Sequence, residues 1–197
     1  MNVLIPTDAL LWHRLIDGDE SAFSKLFERY YPTLLRYGKS CMSDSDRVQD
    51  CIQDVFADVW LYRSSLDKSA LVKAYLLACV RKRIARFHAR DHVFRHTTTL
   101  ESIDFSISFT VEDRLIAHEE TASRVHQLNR QLNSLPPRQK EALYLRYHQG
   151  LNTEQIAEVL NINYQSANNL LHRAMEHLRR EMKDSIPLLL LLISAMV

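Results

Sequence analysis

Apolar residues recur at three- and four-residue steps along most of this chain, the spacing of helices that bury one face. Phe23, Leu26, Phe27, Tyr30, Leu34 and Leu35 mark a helix from Asp19 to about Lys39, which Pro32 should kink or bound. Val48, Ile52, Val55, Phe56 and Val59 form the stripe of a second, from about Ser45 to Tyr62. Val72, Tyr75, Leu76, Cys79, Val80 and Ile84 form that of a third, from about Ser69 to Arg90. The period then fails. His96 to about Thr110 (HTTTLESIDFSISFT) is rich in Ser and Thr and predicts a flexible linker. A short strand over Phe105–Phe109 would have nothing to pair with. Helical spacing returns from about Val111, with a lead helix up to Leu132 and a break at Leu135-Pro136-Pro137. Proline suits a first helical turn, so a new helix is expected there, continuing to Tyr147 and ended by Gly150.

Residues 150–174, GLNTEQIAEVLNINYQSANNLLHRA, have the spacing of a helix-turn-helix. Ala157 sits where two crossing helices come close, and Ala167 packs the second back onto the first. Asn161 falls at the turn, where a positive φ is wanted and Asn tolerates it. Asn152 can cap the first helix with Gln155 three residues on, a capping-box pair. Asn163 can cap the second. Ile156, Leu160, Ile162, Leu170 and Leu171 complete the buried side. Tyr164, Gln165, Asn168, Asn169, His172 and Arg173 are left facing outward, able to hydrogen-bond base edges or phosphates in a major groove.

Composition narrows the possibilities. At 197 residues the chain has room for one or two small domains. Its 3 glycines form no phosphate-cradling loop, which weakens any nucleotide-enzyme reading. Cys41, Cys51 and Cys79 have no metal-type spacing, and Cys79 should pack as a small hydrophobe; reduced thiols in a cytoplasmic protein are the simplest account. No secretory signal pattern opens the chain. The closing apolar run, Ile186 to Val197, makes about 18 Å of helix against about 30 Å of bilayer core, too short to span.

Net charge is only +1, but charge is segregated. Asp46, Asp50, Asp54 and Asp58 step by four down the second helix as one acidic stripe. Like charges at that spacing destabilise a helix, so a basic partner is expected to meet them. The third helix reverses the sign with Lys73, Arg81, Lys82, Arg83, Arg86 and Arg90, and Tyr75 and Phe87 lie among them. Cations for phosphates and aromatics for unstacked bases are what single-stranded nucleic acid binding uses. His88, His92 and His96 stand four apart, but without a further ligand phosphate or solvent contact fits them better than a metal.

Taken in order, these segments resemble the extracytoplasmic-function (ECF) class of bacterial sigma factors, which keeps only regions 2 and 4. AFSKLFERYYPTLLRYG (22–38) is similar to region 2.1, DRVQDCIQDVFADVW (46–60) to region 2.2 and VKAYLLACVRKRIARFHAR (72–90) to regions 2.3 and 2.4. Residues 135–179 are similar to region 4. The resemblance implies an all-α chain of two small helical domains joined by a flexible linker, the C-terminal one holding the helix-turn-helix. Its expected parts are 8–95, linker 96–110, 111–184 and an apolar tail 185–197.

The resemblance also implies roles. Gln49, Asp50, Gln53, Asp54 and Phe56 match the face that docks core RNA polymerase. Tyr75, Leu76, Arg81, Lys82, Arg83 and Arg86 match the helix that meets the −10 element, and the loop Ser64 to Ser69 the pocket for a flipped base. Tyr164, Gln165, Ser166, Asn168, Asn169, His172 and Arg173 match the helix that reads the −35 element of promoter DNA, with Arg138 and Arg146 on phosphates. Family members often carry Lys or Arg at Asn168, Asn at Lys82 and Arg at Leu170, so the second reading helix is less basic here. No cofactor, no metal and no catalysis are implied. An anti-sigma partner and a cytoplasmic, non-membrane-spanning life are. Two rivals remain: a dimeric operator-binding regulator, and a metal-dependent nucleic-acid enzyme built on His88 and His92.

Overall fold

The structure, a computed structural model, describes residues 6–93, 103–106 and 129–181. The chain divides into two compact units, Met1–Glu101 and Ser102–Val197.

Among the described residues the first unit holds four helices: α1 (Asp8–Ile16), α2 (Glu20–Cys41), α3 (Ser45–Leu61) and α4 (Val72–Val93), with a 3-10 turn at Arg63–Ser65. Each of the first three starts on a side-chain cap that satisfies N–H groups the helix cannot use. Thr7 accepts from the Leu10 N–H at 3.4 Å, and Asp44 from that of Arg47 at 3.1 Å. Asp19 accepts from the N–H groups of Ser21 and Ala22 at 2.8 and 3.1 Å. Pro32 neither ends nor splits α2, which runs on through it with Tyr30 and Leu34 buried on either side. Tertiary packing there outweighs the one backbone hydrogen bond that proline removes.

The helices α2, α3 and α4 pack on one another, and α1 lies against α2 and α4. Leu11, Trp12 and Leu15 of α1, Leu26, Leu34 and Tyr37 of α2, Val48 and Ile52 of α3, and Leu76, Val80 and Ile84 of α4 make the shared core. At one point α2 and α3 come so close that a Cβ on Gly38 would run into Cγ1 of Val48. Asp8 ties α1 to α2 by accepting from Arg29 and from the phenol of Tyr30. Burial and that carboxylate together push the Tyr30 phenol well above its usual range.

In the second unit residues 129–134 form α5, followed by α6 (Pro137–Leu143), α7 (Thr153–Leu160) and α8 (Tyr164–Glu181). Pro137 takes the first turn of α6, as its fixed φ favours. The helix expected to continue to Tyr147 instead widens into a π turn over Tyr144–His148. The Gln149 N–H closes that turn on the Tyr144 carbonyl at 3.1 Å, and Gly150 then takes φ +68°. Leu132, Leu135, Leu143, Ala174 and Leu178 form one core cluster, flanked by Tyr147, Leu171 and Met175.

Residues 103–106 lie inside the stretch expected to be a flexible linker, yet Ile103 and Phe105 are buried. The Phe105 ring meets Tyr144 edge-on at 5.4 Å, and no strand forms over 103–106. The rest of that stretch, the expected lead helix before residue 129 and the apolar tail lie outside the described residues. Among the described residues no helix is long and apolar enough to cross a membrane.

Candidate nucleic-acid and partner-binding faces

The α7–α8 pair is built by local chemistry. Asn152 Oδ1 accepts from the Gln155 N–H at 2.9 Å while Gln155 Oε1 accepts from the Asn152 N–H at 2.8 Å, a closed capping box. Asn161 then turns the chain with φ 52° and ψ 52°, the left-handed region. Asn163 caps α8 by accepting from the Ser166 N–H at 2.7 Å. Ile156, Ala157, Leu160 and Ala167 are buried as expected. Ile162, Leu170 and Leu171 are only half-buried, Leu171 against the cluster of Leu132, Leu135 and Leu143.

Tyr164, Gln165, Asn168, Asn169, His172 and Arg173 are all exposed, and Ser166 is half-buried at the cap. The Gln165 side-chain amide donates to Asn169 Oδ1 at 3.2 Å, which aligns two amides one turn apart. Paired donor and acceptor groups of this kind fit the edge of an adenine in a major groove. Arg146 is exposed and donates to the Leu151 carbonyl at 3.2 Å, whereas Arg138 is half-buried.

On α3 the acidic stripe is real but not free along its length. Asp46, Asp50, Gln53, Asp54 and Asp58 are exposed and Gln49 is half-buried. Phe56, expected on the docking face, is 2% exposed. Its ring is held by Phe23 at 5.9 Å and Phe27 at 4.9 Å, so it belongs to the core. Arg83 reaches across from α4, donating to Asp54 at 2.6 Å and to Asp58. The basic partner anticipated for the lower half of the stripe is therefore supplied by the domain itself. Arg83 correspondingly leaves the set of cations open to a phosphate.

Of the other α4 residues expected to meet nucleic acid, Lys82 and Arg86 are exposed and Arg81 is half-buried. Tyr75 is not an open stacking platform, since its ring packs edge-on to Trp12 at 5.4 Å. Burial pushes its phenol up to about 12. Desolvation also lowers the half-buried Lys73 ammonium from its usual value, against the pull of Asp8. Leu76 is core.

The α3–α4 connection carries features that periodicity did not flag. Leu61, Tyr62 and Leu71 stand 66, 58 and 56% exposed at its two ends. Arg63 lies over the Trp60 ring at 4.5 Å and donates to the Trp60 carbonyl at 2.7 Å. Asp67 Oδ1 accepts from both the N–H and the hydroxyl of Ser69 at 2.8 Å, which holds its carboxyl below the usual range. The Trp12 indole N–H donates to the Asp67 carbonyl at 2.9 Å. An aromatic directly before the Ser-rich loop was the available signal for Tyr62; nothing local signals the Trp12 bond.

His88 is half-buried, and its Nε2 lies 3.3 Å from the Cys41 carbonyl oxygen. The His92 side chain and His96 fall outside the described residues. Among the described residues no three His, Cys, Asp or Glu side chains are grouped to hold a metal. None of the three cysteines forms a disulfide; Cys41 and Cys51 are buried and Cys79 is half-buried. Burial pushes the Cys51 thiol up to about 11 and raises that of Cys79.

Known proteins share this layout. The sequence model for Sigma-70 region 2 matches residues 26–93, and that for Sigma-70, region 4 matches residues 126–178, together well over half of the chain. RNA polymerase sigma factor YlaC of Bacillus subtilis is 24% identical over 160 residues, covering 81% of this chain and 91% of its own. ECF RNA polymerase sigma factor SigM of the same organism is 23% identical over 155 residues, covering 79% and 91%. Among solved structures, CnrH in complex with the cytosolic domain of CnrY superposes with TM-score 0.58 at 18% identity, covering 89% of this chain and 97% of CnrH. The sigma factor RpoE, in complex with the anti-sigma factor NepR from Bartonella quintana, gives TM-score 0.58 at 19% identity and covers 82% and 97%. At such identities the superpositions speak for the fold, and the sequence matches carry the rest: the chain belongs to the sigma-70 family of promoter-recognising transcription initiation factors, in its extracytoplasmic-function class.

Proposed function

We propose that the chain divides its work among three exposed faces. Gln49, Asp50 and Gln53 of α3, with Asp54 shared with Arg83, dock core RNA polymerase. Lys82 and Arg86, assisted by Arg81, and the loop between α3 and α4 take the single-stranded −10 element. The face of α8 from Tyr164 to Arg173 reads the −35 element as duplex. The polymerase performs the chemistry; this chain binds and positions, and works where the polymerase is, in the cytoplasm. An anti-sigma protein covering these faces would hold it inactive.

The observation that carries this reading is the segregation of exposed side chains by chemistry: carboxylates and amides on α3, cations on α4, and amides with Tyr164, His172 and Arg173 on the first half of α8. A basic partner suits the first, phosphates the second and base edges the third. Two tethered modules that each bind weakly gain affinity when a third body fixes their separation, so the free chain should hold promoter DNA poorly.

Run-off transcription with core polymerase on a library of promoter sequences tests it. Enrichment of two short elements at a fixed spacing supports the reading. Tight binding of the free chain to a palindromic duplex with no initiation would favour a dimeric operator binder. Chelator-sensitive cleavage of the library would favour an enzyme.

A further inference from the structure

We propose that Trp12 is a positioning residue for base capture, acting through the loop that joins α3 to α4. The inference rests on the assignment of that loop to the −10 strand.

Residues 64, 65, 67, 68 and 69 are exposed. The bonds that shape them run between near neighbours. Ser65 donates its hydroxyl to the Tyr62 carbonyl at 2.8 Å, and Ser69 clasps Asp67. The Ala70 N–H reaches the Asp67 carbonyl at 3.2 Å. Such bonds give the loop a shape but do not fasten it to the domain. The Trp12 indole does: its N–H meets the Asp67 carbonyl at 2.9 Å from 55 positions away.

Trp12 is itself immobilised. It is 1% exposed on α1, with Leu11 and Leu15 fully buried beside it. The same ring packs on Tyr75 of α4. One side chain thus sets the loop and the start of the basic helix against each other. Trp12 also precedes the stretch matched by the region 2 sequence model, which begins at residue 26.

A tryptophan that only filled the core would still need an acceptor for its buried N–H, but removing that N–H would leave base choice untouched. Base choice after loss of the donor therefore separates the two explanations, since indole nitrogen donates and cannot accept. Orientation of the loop decides which base fits, whereas the α3 docking face and the cations of α4 act without it. Loss of the bond should therefore blunt base choice at one position and spare general affinity.

The test uses holoenzyme made with Trp12→Phe and single-stranded −10 oligonucleotides carrying each base at each position. Thermal melting of the variant checks folding. Should Trp12→Phe fail to fold, the isosteric benzothienyl analogue at position 12, which replaces N–H by sulfur, takes its place. The expected result is unchanged assembly with core polymerase and a fall of about three- to tenfold in base discrimination at one position, the span of one net hydrogen bond. Discrimination intact at every position, or an equal loss at all of them, would overturn the proposal. In the free chain the Trp12 indole proton should also exchange slowly with solvent; fast exchange would remove the bond itself. A wild-type holoenzyme with no base preference anywhere in the −10 strand would instead sink the functional assignment, and this inference with it.

Discussion

Arg83 on α4 lies 2.6 Å from Asp54 on α3 and bonds Asp58 as well, so one guanidinium closes the lower half of the acidic stripe. The bridge relieves like-charge repulsion along α3 and ties that helix to α4. Arg83 is 24% exposed but Asp54 is 56% exposed, so solvent screens the attraction. Arg83→Ala is expected to cost about 1 kcal/mol of stability, near the upper end for pairs open to water. The deficit should shrink at high salt in denaturant titrations. A salt-independent deficit would mean that the arginine stem, not its charge, carries the effect.

Gly38 leaves α2 no clearance over Val48. Gly38→Ala should destabilise the first unit by about 1–3 kcal/mol through overpacking, even though alanine is the better helix former. Adding Val48→Ala should recover part of the loss, read as a partial return of Tm. A Gly38→Ala chain as stable as wild type would mean that the two helices separate freely.

Asn161 stands at φ 52° and donates its N–H to the Glu158 carbonyl at 3.1 Å. A branched side chain there meets the left-handed penalty, so Asn161→Val should cost about 1–2 kcal/mol while Asn161→Gly should be close to neutral. Thermal unfolding followed by circular dichroism measures both.

The aligned amides of Gln165 and Asn169 predict a sequence-specific defect. Gln165→Ala or Asn169→Ala should each lose about 1–3 kcal/mol of discrimination in holoenzyme binding at one position of the −35 element. Arg173→Ala should instead weaken all sequences alike and lower the salt slope.

Acid stability should depend on Asp19. The Ala22 N–H, and then Arg14, hold its carboxyl below the usual carboxylate range. A lowered folded pKa contributes stability above the unfolded value and loses it as pH falls through the folded one. Asp19→Asn should therefore be less stable than wild type at about pH 7, with the gap narrowing as pH falls below the usual carboxylate range, measured by urea titration at each pH.

The helix-turn-helix was legible because its determinants are local: the Asn152–Gln155 box, the turn at Asn161 and the cap at Asn163 all act within four residues. The acidic stripe was legible as a stripe, but not its capture by Arg83, since a pair 29 positions apart depends on a helix crossing that no local pattern encodes. Phe56 and Tyr75 sit on the margins of their apolar stripes, where spacing alone does not tell docking face from core. Phe27 and Trp12 decide it. The helix α1 was overlooked although Thr7 caps it and Leu11, Trp12 and Leu15 have helical spacing; at nine residues its signal is short. Phe105 looked like linker because its ring is covered by a partner, Tyr144, far along the chain.

The central claim is that this chain acts through core RNA polymerase, and a titration of labelled chain with purified core enzyme tests it most directly. Asp50 is the side chain to alter, because Asp54→Arg would also break the Arg83 bridge. Wild type should form a saturable one-to-one complex, and Asp50→Arg should lose it while melting at the wild-type temperature. No association of the wild-type chain with core enzyme would contradict the account.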